Sequence, residues 1–224
     1  YVDAGYTFIK VKVGKNLEFD KELITQFRSR FPKLKIAADS NHAYNYKEAI
    51  AIGKVLEAND YYWFEEPLSP ENYADMARLR DTLSIPIASG ECEQTRYGFE
   101  RFASARSLDI FQPDIAFCGG ITEFQKINAL ASAAHADVVP HCWGLKINQS
   151  AAASAISMVP ENPGRFERRP VFLEVDQTEH PVRDKIFSTA HDVIDGKLHF
   201  NDLPGLGVNV DESAMEPFVI DPKR

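Results

Sequence analysis

The stretch YYWFEEP, residues 61–67, is an apolar run that ends in a pair of glutamates and is stopped by Pro67. Aromatic residues favour β-strands and proline cannot donate to a sheet ladder, so the stretch predicts a strand over 61–65. Similar runs lie on either side of it, KIAAD at 35–39 and IASGE at 87–91, and both also end in an acid. The three acids are 26 residues apart, which is about the length of one strand, loop and helix together.

The same interval continues along most of the chain. Predicted strands at 7–13, 35–39, 61–65, 87–89, 109–112, 138–140 and 172–175 alternate with helical patterns, which favours a parallel sheet with right-handed crossovers. A polar residue stands near the end of each strand, at intervals of 23 to 33 residues: Lys12, Asp39, Glu65, Glu91, Asp114, His141 and Glu174. Because the carboxyl ends of barrel strands open on one face, we expect these residues to meet in one pocket.

Seven such strands are one fewer than a closed (β/α) barrel requires. Residues 1–6 have the pattern of a helix end, so the sequence predicts an α/β fold in which strands 2–8 of a TIM-type barrel are present and the first strand is missing at the N-terminus. The pattern changes after about Pro181. We therefore predict a partial barrel over 1–183 and a separate C-terminal segment over 184–224.

The composition is that of an ordinary globular protein, with 224 residues of which 44% are hydrophobic and 26% charged, and a net charge of −8. The negative charge argues against nucleic acid or an anionic membrane as a partner, and no apolar run approaches the roughly 20 residues that span a bilayer. We expect no signal peptide ahead of the first predicted strand, and Cys92, Cys118 and Cys142 form no CxxC pattern. We expect a cytoplasmic protein whose cysteines are structural.

Three of the polar residues are carboxylates at the ends of consecutive strands. Asp39, Glu65 and Glu91 would repel one another there unless a cation lay between them. Hard carboxylate oxygens in octahedral geometry suit Mg²⁺, which keeps positions for water and substrate. The sequence therefore predicts a Mg²⁺ site.

The remaining polar residues suit proton transfer. Lys10 and Lys12 form a K-x-K pair on one face of the first predicted strand, and each amine should lower the pKa of the other and so give a neutral base near pH 7. Asp114 would fix the tautomer of His141 and raise its basicity. Glu174 faces a pocket rich in carboxylates, so we expect it to be protonated and to donate a hydrogen bond.

Together these groups suit abstraction of a proton α to a carboxylate. The product is an enediolate, whose negative charge Mg²⁺, Lys10 and Glu174 would stabilise. Lys12 and His141 would act as opposed bases, so that one removes the proton and the other returns it or assists a leaving group.

Seven short motifs carry this constellation: IKVKVG (9–14), ADSN (38–41), WFEEP (63–67), SGEC (89–92), QPDIAFCGGITE (112–123), PHCWG (140–144) and FLEV (172–175). In this order they resemble the mandelate racemase subgroup of the enolase superfamily, a system of lysine and histidine bases with Mg²⁺. The resemblance covers nearly the whole chain. The segments GECEQTRYG (90–98) and LEVDQTEHPVRD (173–184) are most similar to D-galactarolactone cycloisomerases and acid-sugar dehydratases.

The resemblance implies a role for each site residue. The implied metal ligands are Asp39, Glu65 and Glu91, the implied catalytic groups are Lys10, Lys12, Asp114, His141 and Glu174, and the implied substrate contacts are Asn41 and Trp143. Members of the family carry an N-terminal capping domain that closes the pocket and selects the substrate, and the segment 184–224 resembles the stretch that packs on it. Members also form oligomers, so we expect a homo-oligomer when the protein is full length.

Three functions stay open at this point. The first is a lyase or cycloisomerase that eliminates a β-oxygen from an acid sugar or its lactone. A racemase or epimerase of a 2-hydroxy acid needs the same bases and no leaving group. The third is an inactive fragment or a noncatalytic barrel, because a missing strand would leave two strand edges exposed.

Overall fold

The computed structural model describes residues 1–159 and 172–220. Six parallel strands in chain order form its main sheet: β1 Phe8–Lys12, β2 Lys35–Asp39, β3 Phe64–Glu65, β4 Ile87–Ser89, β5 Ile110–Phe111 and β6 Asp137–Val138. A helix follows each strand: α1 Leu17–Arg30, α2 Tyr46–Ala58, α3 Tyr73–Thr82, α4 Thr95–Ala105, α5 Ile121–Ala133 and α6 Lys146–Ile156. The alternation confirms the predicted α/β fold with a parallel sheet.

Asparagines start the first three helices. Asn16, Asn45 and Asn72 each accept a hydrogen bond from a backbone N–H in the first turn of α1, α2 and α3. These N–H groups have no partner within the helix, so the side chains supply one. Asn45 and Glu48 complete a capping box at the start of α2.

The register of the sheet places the polar residues at the same height along neighbouring strands. Lys12 pairs with Asp39 across β1 and β2, and Asp39 pairs with Glu65 across β2 and β3. β4 ends at Ser89, so Glu91 belongs to the loop beyond it. The strand ends therefore bring these side chains to one edge of the sheet.

Side chains alternate between the two faces of the strands. One face packs against the helices in the main hydrophobic core, which includes Val11, Ile36 and Phe64. The other face carries a smaller cluster built on Ala37, Trp63, Ala88 and Ile110, with Phe8 packed against it. Lys10 and Lys12 share the face of Phe8. They therefore follow this smaller core along β1 toward the edge of the sheet where the polar side chains lie.

The predicted strand at 172–175 is not formed. Residues 172–177 are described, and none of them lies in a strand. Asp137 and Val139 donate their N–H groups toward β5, so Val138 and Pro140 would have to serve a strand on the other side. Pro140 has no N–H to donate, which removes one of the hydrogen bonds that a strand on that side would need. The Phe172 ring still lies 4.4 Å from the Phe8 ring between centroids, which holds this segment against the sheet.

A glycine forms the start of α5. The N-cap is Gly120, whose φ of 82° is a left-handed conformation that glycine adopts freely, and no side chain caps the helix. The carboxylate of Glu123 lies 2.7 Å from the Arg96 guanidinium. It is therefore engaged elsewhere and does not complete a capping box.

The chain beyond residue 177 forms small elements outside the β/α repeat: α7 Pro181–Lys185, β7 Phe187–Thr189, β8 Asp192–Ile194, β9 Lys197–His199, β10 Asn209–Val210 and α8 Glu212–Met215. β8 and β9 form an antiparallel hairpin, and β7 pairs with β10. Gly196 in the hairpin turn lies against the backbone of Gly5, so this tail packs on the N-terminal turn. α7 crosses the predicted boundary at 183, and the division into two domains stays a prediction.

Within the part of the chain that is described, no helix combines the length and apolar character needed to cross a membrane. The three cysteines are free thiols. Cys118 and Cys142 are buried, as expected for structural cysteines, whereas Cys92 is exposed.

Candidate metal and acid-base site

Three carboxylates converge at the carboxyl edge of the sheet, as predicted. Asp39 and Glu65 end β2 and β3 and are fully buried, whereas Glu91 follows β4 and is partly exposed. One oxygen from each of the three lies within 4.8 Å of the other two. Small side-chain rotations would close this group, called here the carboxylate cluster, around one ion.

The donor set and its surroundings fit Mg²⁺. All three ligands are hard oxygens, and Glu91 Oε2 is buried without a hydrogen-bond partner among the described residues. Burial raises the pKa of Glu65 to about 7, although Lys10 lowers it, and burial also raises the pKa of Glu91. A divalent cation would favour the charged form of these carboxylates and so offset the cost of burying them.

Lys10, on β1, lies among the carboxylates. Its Nζ is 2.5 Å from Glu65 Oε1, 2.8 Å from Glu174 Oε1 and 3.4 Å from Asp39 Oδ2. Burial lowers the pKa of Lys10, but the three carboxylates outweigh burial and raise the pKa well above its ordinary value. The lowering predicted within the K-x-K pair is therefore wrong for Lys10.

Lys12 ends the same strand, and its side chain is 63% exposed. Its Nζ is ion-paired with Asp39 and donates to Asn41 Oδ1 at 2.7 Å. Asn41 also reaches Glu91, with Nδ2 3.5 Å from Oε1. Lys12 is thus the more accessible amine, and it stands at the Asp39 side of the carboxylate cluster.

His141 and Asp114 form the predicted dyad at the Glu91 side of the carboxylate cluster. His141 Nδ1 is 2.6 Å from Asp114 Oδ2, and His141 Nε2 is 3.5 Å from Glu91 Oε2. Asp114 engages Nδ1, so Nε2 is the nitrogen left for proton transfer. Burial lowers the pKa of His141, but the Asp114 hydrogen bond and the charge of Glu174 raise it above its ordinary value overall.

Glu174 lies between Lys10 and the dyad. Its Oε1 is 2.8 Å from Lys10 Nζ, and its Oε2 is 4.0 Å from His141 Nε2. The same Oε2 accepts a hydrogen bond from the Cys142 N–H at 3.1 Å. These contacts use Glu174 as an acceptor, and its predicted protonation stays a prediction.

The site opens into a cavity of about 920 Å³, which is large enough for a small organic substrate. Five of the predicted catalytic and metal-binding residues line it: Lys10, Lys12, Glu91, His141 and Glu174. Trp143 lines the same cavity, and its exposed ring lies against His180. The substrate-binding roles predicted for Trp143 and Asn41 stay predictions.

Sequence reasoning missed the residues that hold the acids in place. Glu65 Oε2 accepts hydrogen bonds from Trp63 Nε1 at 2.9 Å and from Gln112 Nε2 at 2.8 Å. Each donor precedes a predicted site residue by two positions, Trp63 before Glu65 and Gln112 before Asp114, so strand alternation could have indicated both. Asn148, on α6, donates to Asp114 at 3.3 Å, and no periodicity in the sequence points to that contact.

Gly90 places Glu91 through a backbone conformation that favours glycine. Its φ is 129°, and a Cβ at this position would lie 2.7 Å from the Phe99 ring. We expect Gly90→Ala to lower the free energy of unfolding by about 1–3 kcal/mol through strain and the clash, and to weaken Mg²⁺ binding by moving Glu91. Urea unfolding and calorimetric titration with Mg²⁺ measure these two effects.

Gly205→Ala is the matched control, since Gly205 also has a positive φ but has no atom within 4 Å of the added Cβ. It should leave the affinity for Mg²⁺ unchanged. A Gly90→Ala protein with wild-type stability and wild-type Mg²⁺ affinity would show that Gly90 does not position Glu91.

Comparison with known proteins agrees with this geometry. A family model described as Enolase C-terminal domain-like matches residues 1–214. The D-galactarolactone cycloisomerase of Agrobacterium fabrum is 34% identical over 215 residues, which is 96% of this chain and 57% of the relative. The arabinonate dehydratase of Saccharolobus solfataricus is 33% identical over 221 residues, 97% of this chain and 57% of the relative. The chain thus spans little more than half the length of these curated relatives.

Solved structures share the same fold. The 3,6-anhydro-D-galactonate cycloisomerase from Zobellia galactanivorans has a TM-score of 0.91 at 39% identity, covering 99% of this chain and 61% of that one. An enolase from Bradyrhizobium, complexed with magnesium and mandelic acid, has a TM-score of 0.82 at 29% identity, covering 96% of this chain and 55% of that one. The chain therefore belongs to the Enolase C-terminal domain-like family, within the enolase superfamily that includes the mandelate racemases.

Proposed function

We propose that this chain forms the catalytic part of a Mg²⁺-dependent enzyme that removes the proton α to the carboxylate of an acid sugar or its lactone and then eliminates a β-oxygen. One observation carries the proposal: two proton-transfer groups, Lys12 and His141, flank the same carboxylate cluster, one beside Asp39 and the other beside Glu91. The relatives named as cycloisomerases and dehydratases support this type of reaction.

The chain's own residues account for the proton transfers of the proposed reaction. Lys12 or His141 takes the α-proton, and the electron pair of the broken C–H bond moves onto the substrate carboxylate to give an enediolate. The Lys10 ammonium, which lies beside Glu65 and Glu174, would offset part of the new charge. As the enediolate collapses, the bond between the β-carbon and its oxygen breaks, and the opposite group donates the proton that the leaving oxygen needs.

Asp39, Glu65 and Glu91 would hold Mg²⁺, which when bound supplies Lewis-acid charge beside the substrate carboxylate. Trp63 and Gln112 keep the buried Glu65 oriented through their hydrogen bonds to Oε2. These outer contacts matter because a ligand that is free to rotate holds a metal less tightly.

The proposal is tested by incubating the full-length gene product with Mg²⁺ and a panel of aldaric acids and their lactones in D₂O. We expect deuterium to replace the α-hydrogen and a dehydrated or ring-opened product to form. Mass spectrometry and proton NMR follow the two events separately. A folded protein that binds Mg²⁺ but catalyses neither exchange nor elimination on any member of the panel would contradict the proposal.

A racemase or epimerase of a 2-hydroxy acid is the second candidate. The same two flanking groups allow a proton to leave one face of the α-carbon and return to the other. The D₂O experiment separates the candidates, because a racemase incorporates deuterium with inversion and keeps the β-oxygen. A noncatalytic barrel, the third possibility, gives neither signal.

A further inference from the structure

A second group of metal-ligating side chains lies beside the carboxylate cluster. His42, Glu66 and Cys92 each offer one ligand atom, and these three atoms lie within 4.8 Å of one another. His42 Nε2 is 2.7 Å from Glu66 Oε2. No step of the proposed reaction uses any of these three residues, which are called here the mixed cluster.

Glu66 is the buried member of the mixed cluster. Its side chain is fully buried, and its Oε1 has no hydrogen-bond partner among the described residues. His42 Nε2 is also buried and lies 2.7 Å from Glu66 Oε2. Buried polar atoms normally find a partner, so Glu66 Oε1 is a buried acceptor whose hydrogen-bonding requirement is unmet.

Cys92 opens the mixed cluster to solvent. Its thiol is free and exposed, and it lines the cavity of about 920 Å³. Asn41 stands between the two clusters, with Nδ2 3.4 Å from Glu66 Oε2 and 3.5 Å from Glu91 Oε1. The mixed cluster is therefore accessible from the cavity, and it shares no ligand with the carboxylate cluster.

We propose that His42, Glu66 and Cys92 bind a second divalent cation of the Zn²⁺ type next to the Mg²⁺ site. A donor set of nitrogen, carboxylate oxygen and sulfur suits Zn²⁺, whereas Mg²⁺ prefers oxygen alone. Zn²⁺ bonds of about 2.0–2.3 Å hold tetrahedral ligand atoms about 3.3–3.8 Å apart. Side-chain rotations that move the ligand atoms by about an ångström would therefore complete the site. Binding releases the thiol proton to solvent and leaves a fourth position for water.

Co²⁺ is the probe for this site, because a cysteine thiolate bound to Co²⁺ gives a near-ultraviolet charge-transfer band that carboxylate ligands do not give. The reduced, chelator-treated full-length gene product is titrated with Co²⁺ in the presence of saturating Mg²⁺. We expect the band to saturate at one equivalent and to disappear when Zn²⁺ displaces the Co²⁺. Absence of the band at one equivalent overturns the proposal.

Variants assign the band to the mixed cluster. Cys92→Ser and His42→Asn should each weaken Co²⁺ binding at least tenfold and abolish or reduce the band. Asparagine is the replacement at His42 because φ there is 67°, a conformation that asparagine tolerates. His135→Asn is the matched control, since exposed His135 has a similar φ of 59°, and it should keep the band.

Asp39→Asn tests whether the two sites are separate. This variant should lose tight Mg²⁺ binding and keep the cobalt band, because the mixed cluster uses none of its atoms. A band that survives in Cys92→Ser, or one that vanishes in Asp39→Asn while the protein stays folded by circular dichroism, overturns the proposal. Neither result bears on proton abstraction, so the proposed function is judged separately.

Discussion

Replacing Lys12 with methionine is expected to slow product formation from an acid-sugar substrate by about 10²- to 10⁴-fold, the usual contribution of one general acid or base. Methionine keeps much of the side-chain length and removes the amine. Lys12 is largely exposed, so the variant should fold and should still bind Mg²⁺ through the carboxylate cluster. Steady-state kinetics with calorimetric Mg²⁺ titration measure both properties.

Deuterium exchange in the same variant tells which role Lys12 has. If Lys12 removes the α-proton, exchange falls together with product formation; if it protonates the leaving oxygen, exchange continues and elimination alone is lost. Lys47→Met is the control, because Lys47 is exposed on α2, and it should stay within twofold of wild type. A Lys12→Met enzyme with wild-type exchange and wild-type elimination would remove Lys12 from the mechanism.

Asp114→Asn is expected to lower kcat by about 10²- to 10⁴-fold while KM changes less than about threefold. Asp114 contacts His141 and not the cavity, so it is a positioning residue. An amide lacks the charge that holds the Nδ1–H of His141 and stabilises the protonated ring. The separation of kcat from KM, measured by steady-state kinetics, distinguishes this role from a general loss of structure.

The control for this substitution is Asp75→Asn, which removes a carboxylate from a surface ion pair with Arg78. Surface pairs of this kind contribute little, so kcat and KM should both match wild type. A stable Asp114→Asn protein with kcat within twofold of wild type would show that His141 does not need its partner.

The convergence of the main site was predictable from the sequence because it follows from regular spacing. Lys12, Asp39 and Glu65 end consecutive parallel strands, and a parallel register puts strand ends at one level, as the observed pairing shows. K-x-K alternation likewise predicted that Lys10 and Lys12 share a face. The pKa of Lys10 was not predictable in the same way, since it depends on three carboxylates from other segments that approach its amine.

Features that depend on single backbone groups were harder to predict. The run at 172–175 has strand-like residues, but Pro140 supplies no N–H on the side where that strand would pair. The helix start at Gly120 has no capping side chain, and Glu123 in its first turn is paired with Arg96 of another helix. Such outcomes are set by neighbours in space, which propensity and periodicity do not specify.

The mixed cluster shows a different limit of prediction from the sequence. His42, Glu66 and Cys92 lie 24 and 26 residues apart, and they follow the predicted ligands Asp39, Glu65 and Glu91 by three, one and one positions. Left-handed backbone at His42 and Glu66, with φ of 67° and 45°, turns both side chains away from the strand pattern. From the sequence Cys92 was expected to be structural, and only the fold shows that the three side chains meet.

We expect Asp39, Glu65 and Glu91, which belong to separate β/α units, to bind one divalent ion. Anomalous diffraction from crystals grown with Mn²⁺, which accepts the same oxygen ligands as Mg²⁺, tests it most directly. We predict an anomalous peak about 2.0–2.3 Å from an oxygen of each of Asp39, Glu65 and Glu91. Saturating Mn²⁺ with no peak between these three side chains would contradict the account.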